Sequence, residues 1–273
     1  MIKLPVISKI TTQQKRKDRY NIFLKEQDRE YYSFSVNEDI LITYHLHKGM
    51  ELTTEVINQM KEQDAAQKAY LLAVKYLSYR MRSEKEVTDY LLGKDIDQEY
   101  IEEAVTRLRQ EGYLDDLAFS EALVNTRIQT SSKGPLMIKK ELLDKGVSLQ
   151  WIEQTLAAFT FDKQLEKVEK WIQKQLKPST KKSHKQQINS LKQSLLQKGF
   201  THDVIAAAIE QLAAGRDQEA EYNAVIFQGE KLMTKYQKKD TGFTLEQKVK
   251  AALYRKGFPA DLIDRFMAEY VEE

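Results

Sequence analysis

Ile138-Lys139-Lys140-Glu141-Leu142-Leu143-Asp144-Lys145-Gly146-Val147-Ser148-Leu149-Gln150-Trp151-Ile152 reads as a helix, a tight turn and the opening of a second helix. Ile138 and Leu142 stand one helical turn apart and share a face. Lys145-Gly146 then suits a helix C-terminus, where glycine accepts the left-handed cap and lysine faces the negative end of the helix dipole. The same frame occurs four times, centred on Asp95, Gly146, Gly199 and Gly257, with separations of 51, 53 and 58 residues. Eight residues before each centre stands Val87, Ile138, Leu191 or Val249, and four before stands Leu91, Leu142, Leu195 or Leu253. Lysine always immediately precedes the centre, as Lys94, Lys145, Lys198 and Lys256. Ile96, Val147, Phe200 and Phe258 follow it directly; Ile101, Ile152, Ile205 and Ile263 lie six residues on, and Val105, Leu156, Ile209 and Met267 ten. Six matched positions in four copies mark an internal repeat.

Upstream of each pair lies another amphipathic stretch: Tyr70, Val74 and Leu77; Phe119, Leu123 and Val124; Val168, Trp171 and Ile172; Tyr222, Val225, Ile226 and Met233. Each unit is therefore three helices in about 50 residues, too few to bury its apolar faces alone. The expected fold is mainly α, with tandem three-helix repeats stacked in an elongated array. Ser83 with Glu86 and Thr244 with Gln247 read as capping boxes, and Pro135 and Pro259 suit first-turn positions.

The first 50 residues differ. Tyr20 to Leu24 and Tyr31 to Val36 are β-rich runs joined by polar Gln27-Asp28-Arg29-Glu30, and Ile40 to Leu46 is also strand-like. A small β-hairpin or meander is expected there, as a cap on the terminal repeat or as a separate contact domain. The expected divisions are a β-rich cap over 1–53, a first repeat with a short lead-in helix (54–63) over 54–130, and repeat regions over 131–176, 177–215 and 216–273.

The 273 residues are 41% hydrophobic and 31% charged, enough for a real core under many solvated helical faces. No apolar run approaches the length of a bilayer span, and Met1 to Ser8 lacks the apolar core of a signal peptide, so a soluble, cytoplasmic protein is expected. The absence of cysteine excludes disulfides, thiolate metal sites and cysteine nucleophiles. No glycine loop followed by Lys-Ser or Lys-Thr cradles a phosphate, and no paired-histidine helix motif offers a zinc site. His45 and His47 fall on one face of an expected strand without a third ligand, which makes them surface or packing residues rather than metal ligands. Asp115 and Asp116 stand where a helix begins, where aspartate caps free amides. Neither an enzyme nor a cofactor, metal or small-molecule site is expected.

Charge is more informative. The net formal charge is only +2, yet the corner between the first and second helix of every unit is basic: Arg80 and Arg82; Lys133; Lys177, Lys181, Lys182 and Lys185; Lys238 and Lys239. From Lys170 to His202 the chain carries eight lysines and no acidic residue. Dipole complementation explains one or two cations per corner, not eight. With Lys15-Arg16-Lys17 and Arg19 near the start, this distribution points to a polyanion or an acidic protein surface as partner. A helix-turn-helix docked in a DNA major groove is disfavoured. The windows 97–108, 148–159, 201–212 and 259–270, where each last helix should lie, hold ten acidic residues against Arg107 and Arg265.

Arg80-Met81-Arg82-Ser83 with Glu86, Gly112-Tyr113-Leu114-Asp115-Asp116 with Phe119, Lys133-Gly134-Pro135 with Ile138, and Glu141 to Val147 resemble, in order and spacing, the signature blocks of RecX regulatory proteins. The resemblance is strongest over 70–150; the β-rich start and fourth repeat are like the longer members. It implies a cytoplasmic regulator, not a catalyst, that binds the RecA filament on DNA and modulates its activities, as family members generally inhibit recombinase, ATPase and coprotease functions. DNA itself would be a weaker, non-specific partner. Arg80, Arg82, Lys133, Lys177, Lys181, Lys182 and Lys185 are the candidate contacts to filament or DNA. Tyr113, Asp115, Asp116, Phe119, Gly134, Lys145 and Gly146 match the family blocks and are expected to be structural. A general DNA-binding protein using the lysine-rich edge, or a helical-repeat scaffold for another protein, are the competing classes.

Overall fold

The computed structural model describes residues 4–176, 181–212 and 218–270. Its contacts divide the chain into two compact units. The first runs up to Phe119 and includes Lys145–Val147; the second holds Ser120–Asp144 and the chain from Ser148 on.

The first unit opens with an antiparallel meander, β1 (Val6–Thr12), β2 (Arg19–Glu26) and β3 (Arg29–Asn37), in that order across the sheet. Alternation puts Ile22, Leu24, Phe34 and Val36 on one face, where they pack with Ile7, Leu52, Ile57 and Met60. Strand β1 escaped the sequence reading. A register shift between Ile7 and Lys9 breaks its alternation, so the inward residues Ile7 and Ile10 stand three apart instead of two.

Ile40 to Leu46, expected as a strand, is instead helix α1 (Glu38–Thr43) and the turn after it. The Asn37 side chain accepts the Ile40 amide at 2.9 Å, and Glu38 and Asp39 sit in the first turn, so capping outweighs the apolar run's strand preference. His45 follows the helix with a φ of 50°, which corrects its placement with His47 on a strand face. Nor is the lead-in helix short: α2 runs unbroken from Thr54 to Leu77. Glu62-Gln63-Asp64-Ala65-Ala66-Gln67-Lys68-Ala69 contains no breaker, and helix formers dominate it. The first half of α2 buries Ile57 and Met60 against the sheet, and the second half buries Ala69 and Ala73 against α3 (Glu84–Leu92) and α4 (Gln98–Gln110). One helix thus ties the sheet to the first repeat.

Helix α5 (Asp116–Thr130) leads into the second unit, which continues with α6 (Pro135–Asp144), α7 (Leu149–Leu156), α8 (Phe161–Gln175), α9 (His184–Gln197), α10 (His202–Leu212), α11 (Gln218–Tyr236), α12 (Gly242–Arg255) and α13 (Ala260–Tyr270). Asp95, Gly146, Gly199 and Gly257 have φ of 55°, 80°, 86° and 83°, so all four repeats turn on a left-handed residue, at extra cost for the aspartate. Leu156, Leu191, Ile209 and Met267 are half-buried, but most matched apolar positions are core: Val87, Leu91, Ile138, Leu142, Ile152, Leu195, Ile205, Val249, Leu253 and Ile263 are buried. Burying each contributes roughly 1.5–3 kcal/mol.

Two start signals shift. The Ser83 and Glu86 capping box forms in both directions, whereas α12 begins at Gly242 and leaves Thr244 inside the helix, not capping it. Pro135 is the first residue of α6, while Pro259 precedes α13 and accepts the Ile263 amide at 3.1 Å.

Candidate functional site

The corner before each middle helix exposes amide hydrogens that the helix cannot satisfy. In the first repeat, Ser83 and Glu86 cap α3, and Asp116 accepts the Glu84 amide at 2.9 Å. Arg80 donates to Glu86 at 2.9 Å and to the Met81 carbonyl at 2.8 Å. Lys145 reaches the same Glu86 at 2.8 Å and lies over the Phe119 ring, while a Cβ on Gly146 would meet the Lys85 stem at 2.7 Å. Arg82 stacks on Tyr76 at 4.1 Å, and Tyr76 on Tyr90 at 4.0 Å; the Arg82 Nε is buried without a hydrogen-bond partner.

The second and third corners follow the same plan. Gly134 donates its amide to the Lys198 carbonyl at 2.7 Å, and Leu136 to that of Gly199 at 3.1 Å. Ser183, the cap of α9, donates its hydroxyl to the Lys256 carbonyl, and a Cβ on Gly257 would meet the Lys185 stem at 2.8 Å. The lysine-glycine turn of one repeat therefore seats on the start of the middle helix in the repeat before it. The sequence shows the lysine at a helix C-terminus; its second duty depends on a partner 59 to 73 residues away and leaves no local signal.

The family-matched residues divide. Phe119 is buried, Asp115 accepts the Ala118 amide at 2.9 Å to cap α5, and Asp116 closes α3 as above. Burial raises the Asp116 pKa, against the pull of the Glu84 amide. Tyr113 instead points outward, 60% exposed.

Of the candidate contacts, Arg80 and Lys133 are ion-paired, to Glu86 and Glu141, yet their side chains remain 49% and 39% exposed. Lys181 lies over the Phe227 ring, Lys182 is exposed, and Lys185 is exposed beside Gly257; Lys177 lies outside the described residues. Arg19, read with the basic start, is largely buried on Asp64 at 2.7 Å and is not available to a partner.

Two carboxylates carry these corners. Burial would raise Glu86, but hydrogen bonds from Arg80, Lys145 and the Ser83 amide hold it at about 2. Arg127, against some burial and with Lys133, holds Glu141 at about 2 as well. Both are depressed from 4.5, so their stabilisation is complete above about pH 4.5 and is lost as pH falls toward 2. Urea titrations should show a loss of about 1–2 kcal/mol per carboxylate across that window, allowing for residual solvent screening. Glu86→Gln with Glu141→Gln should flatten the slope; an unchanged slope would contradict the assignment.

A different surface gathers four lysines against a single acid, Glu166. Between the end of α5, the 131–133 turn and α8 lies a cavity of about 380 Å³ lined by Lys163, Lys167, Lys170, Lys174 and Trp171 among others. Lys198, at the end of α9, stands over the Trp171 ring at 5.5 Å and donates to Ser132 at 2.9 Å. Among the described residues no cluster of histidine and carboxylate side chains could hold a metal, and no helix is long and apolar enough to cross a membrane.

Comparison with known proteins agrees with this arrangement along nearly the whole chain. Residues 5–53 match the family model of the regulatory protein RecX N-terminal domain, and 69–108 and 115–156 match the first and second RecX three-helix domains. The third three-helix domain matches twice, at 162–209 and 219–267. A regulatory protein RecX of Oceanobacillus iheyensis is 48% identical over 268 residues, covering 98% of each chain. Its counterpart in Halalkalibacterium halodurans is 42% identical over 264 residues, covering 97% of this chain and 99% of the relative. The crystal structure of a regulatory protein RecX superposes with a TM-score of 0.63 at 33% identity, covering 75% of this chain and 99% of that one. That of RecX from Lactobacillus salivarius gives 0.53 at 36% identity, covering 55% and 98%. These relatives carry the name of regulatory proteins, not of enzymes.

Proposed function

Because the chain belongs to the RecX family, we propose that it binds the RecA filament on DNA in the cytoplasm and inhibits recombinase, ATPase and coprotease activities without catalysing a reaction. The observation that carries this reading is the ordered set of family blocks, which pack as repeated corners of one construction. Repeated corners suit a repeating partner, since several weak contacts made by one chain add through effective concentration. Arg80, Arg82, Lys133 and the cluster of Lys177, Lys181, Lys182 and Lys185 are the proposed contacts to filament or DNA, with the exposed flanks of Arg80 and Lys133 available beside their ion pairs.

The test is RecA's single-stranded-DNA-dependent ATP hydrolysis with the chain added below one copy per RecA protomer. ATPase should fall at substoichiometric ratio. A variant carrying Lys181→Gln, Lys182→Gln and Lys185→Gln should need several-fold more protein for the same effect, at unchanged helical content. Full ATPase at equimolar protein would discard the reading. The acid-free run from Lys170 to His202 favours one alternative, a DNA-binding protein with no recombinase partner. That alternative predicts strongly salt-dependent DNA binding and untouched RecA hydrolysis.

A further inference from the structure

We propose that the cavity between the end of α5, the 131–133 turn and α8 holds an unpaired nucleotide of a single-stranded polynucleotide, with its phosphates on the α8 lysines and its base against Trp171. This deepens the function proposed above by naming where and how a strand is held.

The cations here differ from those of the corners. Arg80 and Lys133 each face a carboxylate, whereas three of the lysines at this cavity rest on neutral oxygens. Lys167 donates to the carbonyls of Arg127 and Ile128, Lys163 to that of Ala158, and Lys198 to the Ser132 hydroxyl. Carbonyls and hydroxyls position an ammonium but leave its charge uncompensated. An ammonium has three donors, so each of these three lysines keeps at least one for an incoming oxyanion. Glu166, ion-paired with Lys170, is the acid lining the cavity, and four lysines line it with Lys198 at its flank.

Spacing explains the alignment. Lys163, Lys167, Lys170 and Lys174 recur at intervals of four, three and four, which places them along one flank of α8. Trp171 and Phe200 add aromatic wall to that charged row. A cationic track beside an aromatic face is the combination that holds single strands without sequence preference, since each base offers a face to stack. About 380 Å³ falls at the small end of ligand pockets, a space for a splayed-out nucleotide but not for a duplex or a peptide helix. An acidic peptide would satisfy the lysines and leave the aromatic wall without use.

The test uses the full chain with Trp151→Phe, which leaves Trp171 as the sole tryptophan. Oligo-dT should quench its emission. Adding Lys170→Gln and Lys174→Gln, both at exposed positions, should weaken binding at least about tenfold at low salt and reduce the slope of log K against log salt by about 1.4, two contacts at roughly 0.7 each. Absence of quenching, unchanged affinity and slope in the double-lysine variant, or equal displacement of oligo-dT by polyglutamate would each overturn the proposal. RecA ATPase measured on the same preparations separates the two readings. Quenching without inhibition keeps this site and removes the regulator reading; inhibition without quenching does the reverse.

Discussion

Asp64→Ala should destabilise the first unit by about 3–5 kcal/mol, the cost of stranding a buried charge. Asp64 lies midway along α2, its side chain 10% exposed, and accepts from Arg19 at 2.7 and 3.3 Å and from the Asn37 amide at 2.8 Å. Arg19 also donates to the carbonyl and hydroxyl of Ser35, both at 3.1 Å. The carboxylate therefore joins β2, the end of β3 and α2 at one point. Its removal leaves a guanidinium, 12% exposed, without its counter-ion and a buried amide without its acceptor. Both tryptophans lie in the second unit, so the measurement is amide exchange along β2 and β3, not tryptophan emission. Exchange there should accelerate by roughly two to four orders of magnitude, as about 1.4 kcal/mol per tenfold requires. Arg19→Met beside Asp64→Ala should recover part of the loss. Protection unchanged within a factor of three in the single variant would show that the pair is not holding this unit.

Gly134→Ala should cost about 3 kcal/mol, the upper end of what overpacking costs. Its Cβ would stand 2.5 Å from the carbonyl carbon and oxygen of Gly199, and 2.6 Å from the Phe200 nitrogen. Backbone cannot rotate away as a side chain can, so the turn must shift. That movement also loosens the amide bonds from Gly134 and Leu136 to the Lys198 and Gly199 carbonyls. Gly112→Ala is the control: its φ is +75° with nothing within 4 Å, so only left-handed strain, about 1–2 kcal/mol, is expected. Urea unfolding followed by tryptophan emission reports on Gly134, whose unit holds both tryptophans, and amide exchange in α4 reports on Gly112. A Gly134→Ala cost no greater than that of Gly112→Ala would mean that the repeat joint is pliable.

These two residues mark the limit of what the chain disclosed before folding. Gly134 was visible as part of a family block, but its contact with Gly199 lies 65 positions away in sequence. Asp64 gave no signal at all, since an aspartate among glutamines and alanines reads as the solvated face of a helix. The candidate contacts at the corners were legible as charge, while their ion pairs with Glu86 and Glu141 were not. Lys163 and Lys167 did not stand out in the sequence, because the cavity that gives them a shared purpose is closed by the end of α5 and the turn after it.

The sequence by itself determined the repeat, its helices and its left-handed turns, because apolar spacing and glycine preference act over a few residues. It also determined that the last helix of each repeat is acidic on balance. Tertiary structure decided the rest. It spent Arg19 on a buried carboxylate and seated each lysine-glycine turn on an earlier helix. Those outcomes depend on which hydrogen-bond and charge partners come within reach, and that is fixed by packing between residues far apart in the chain.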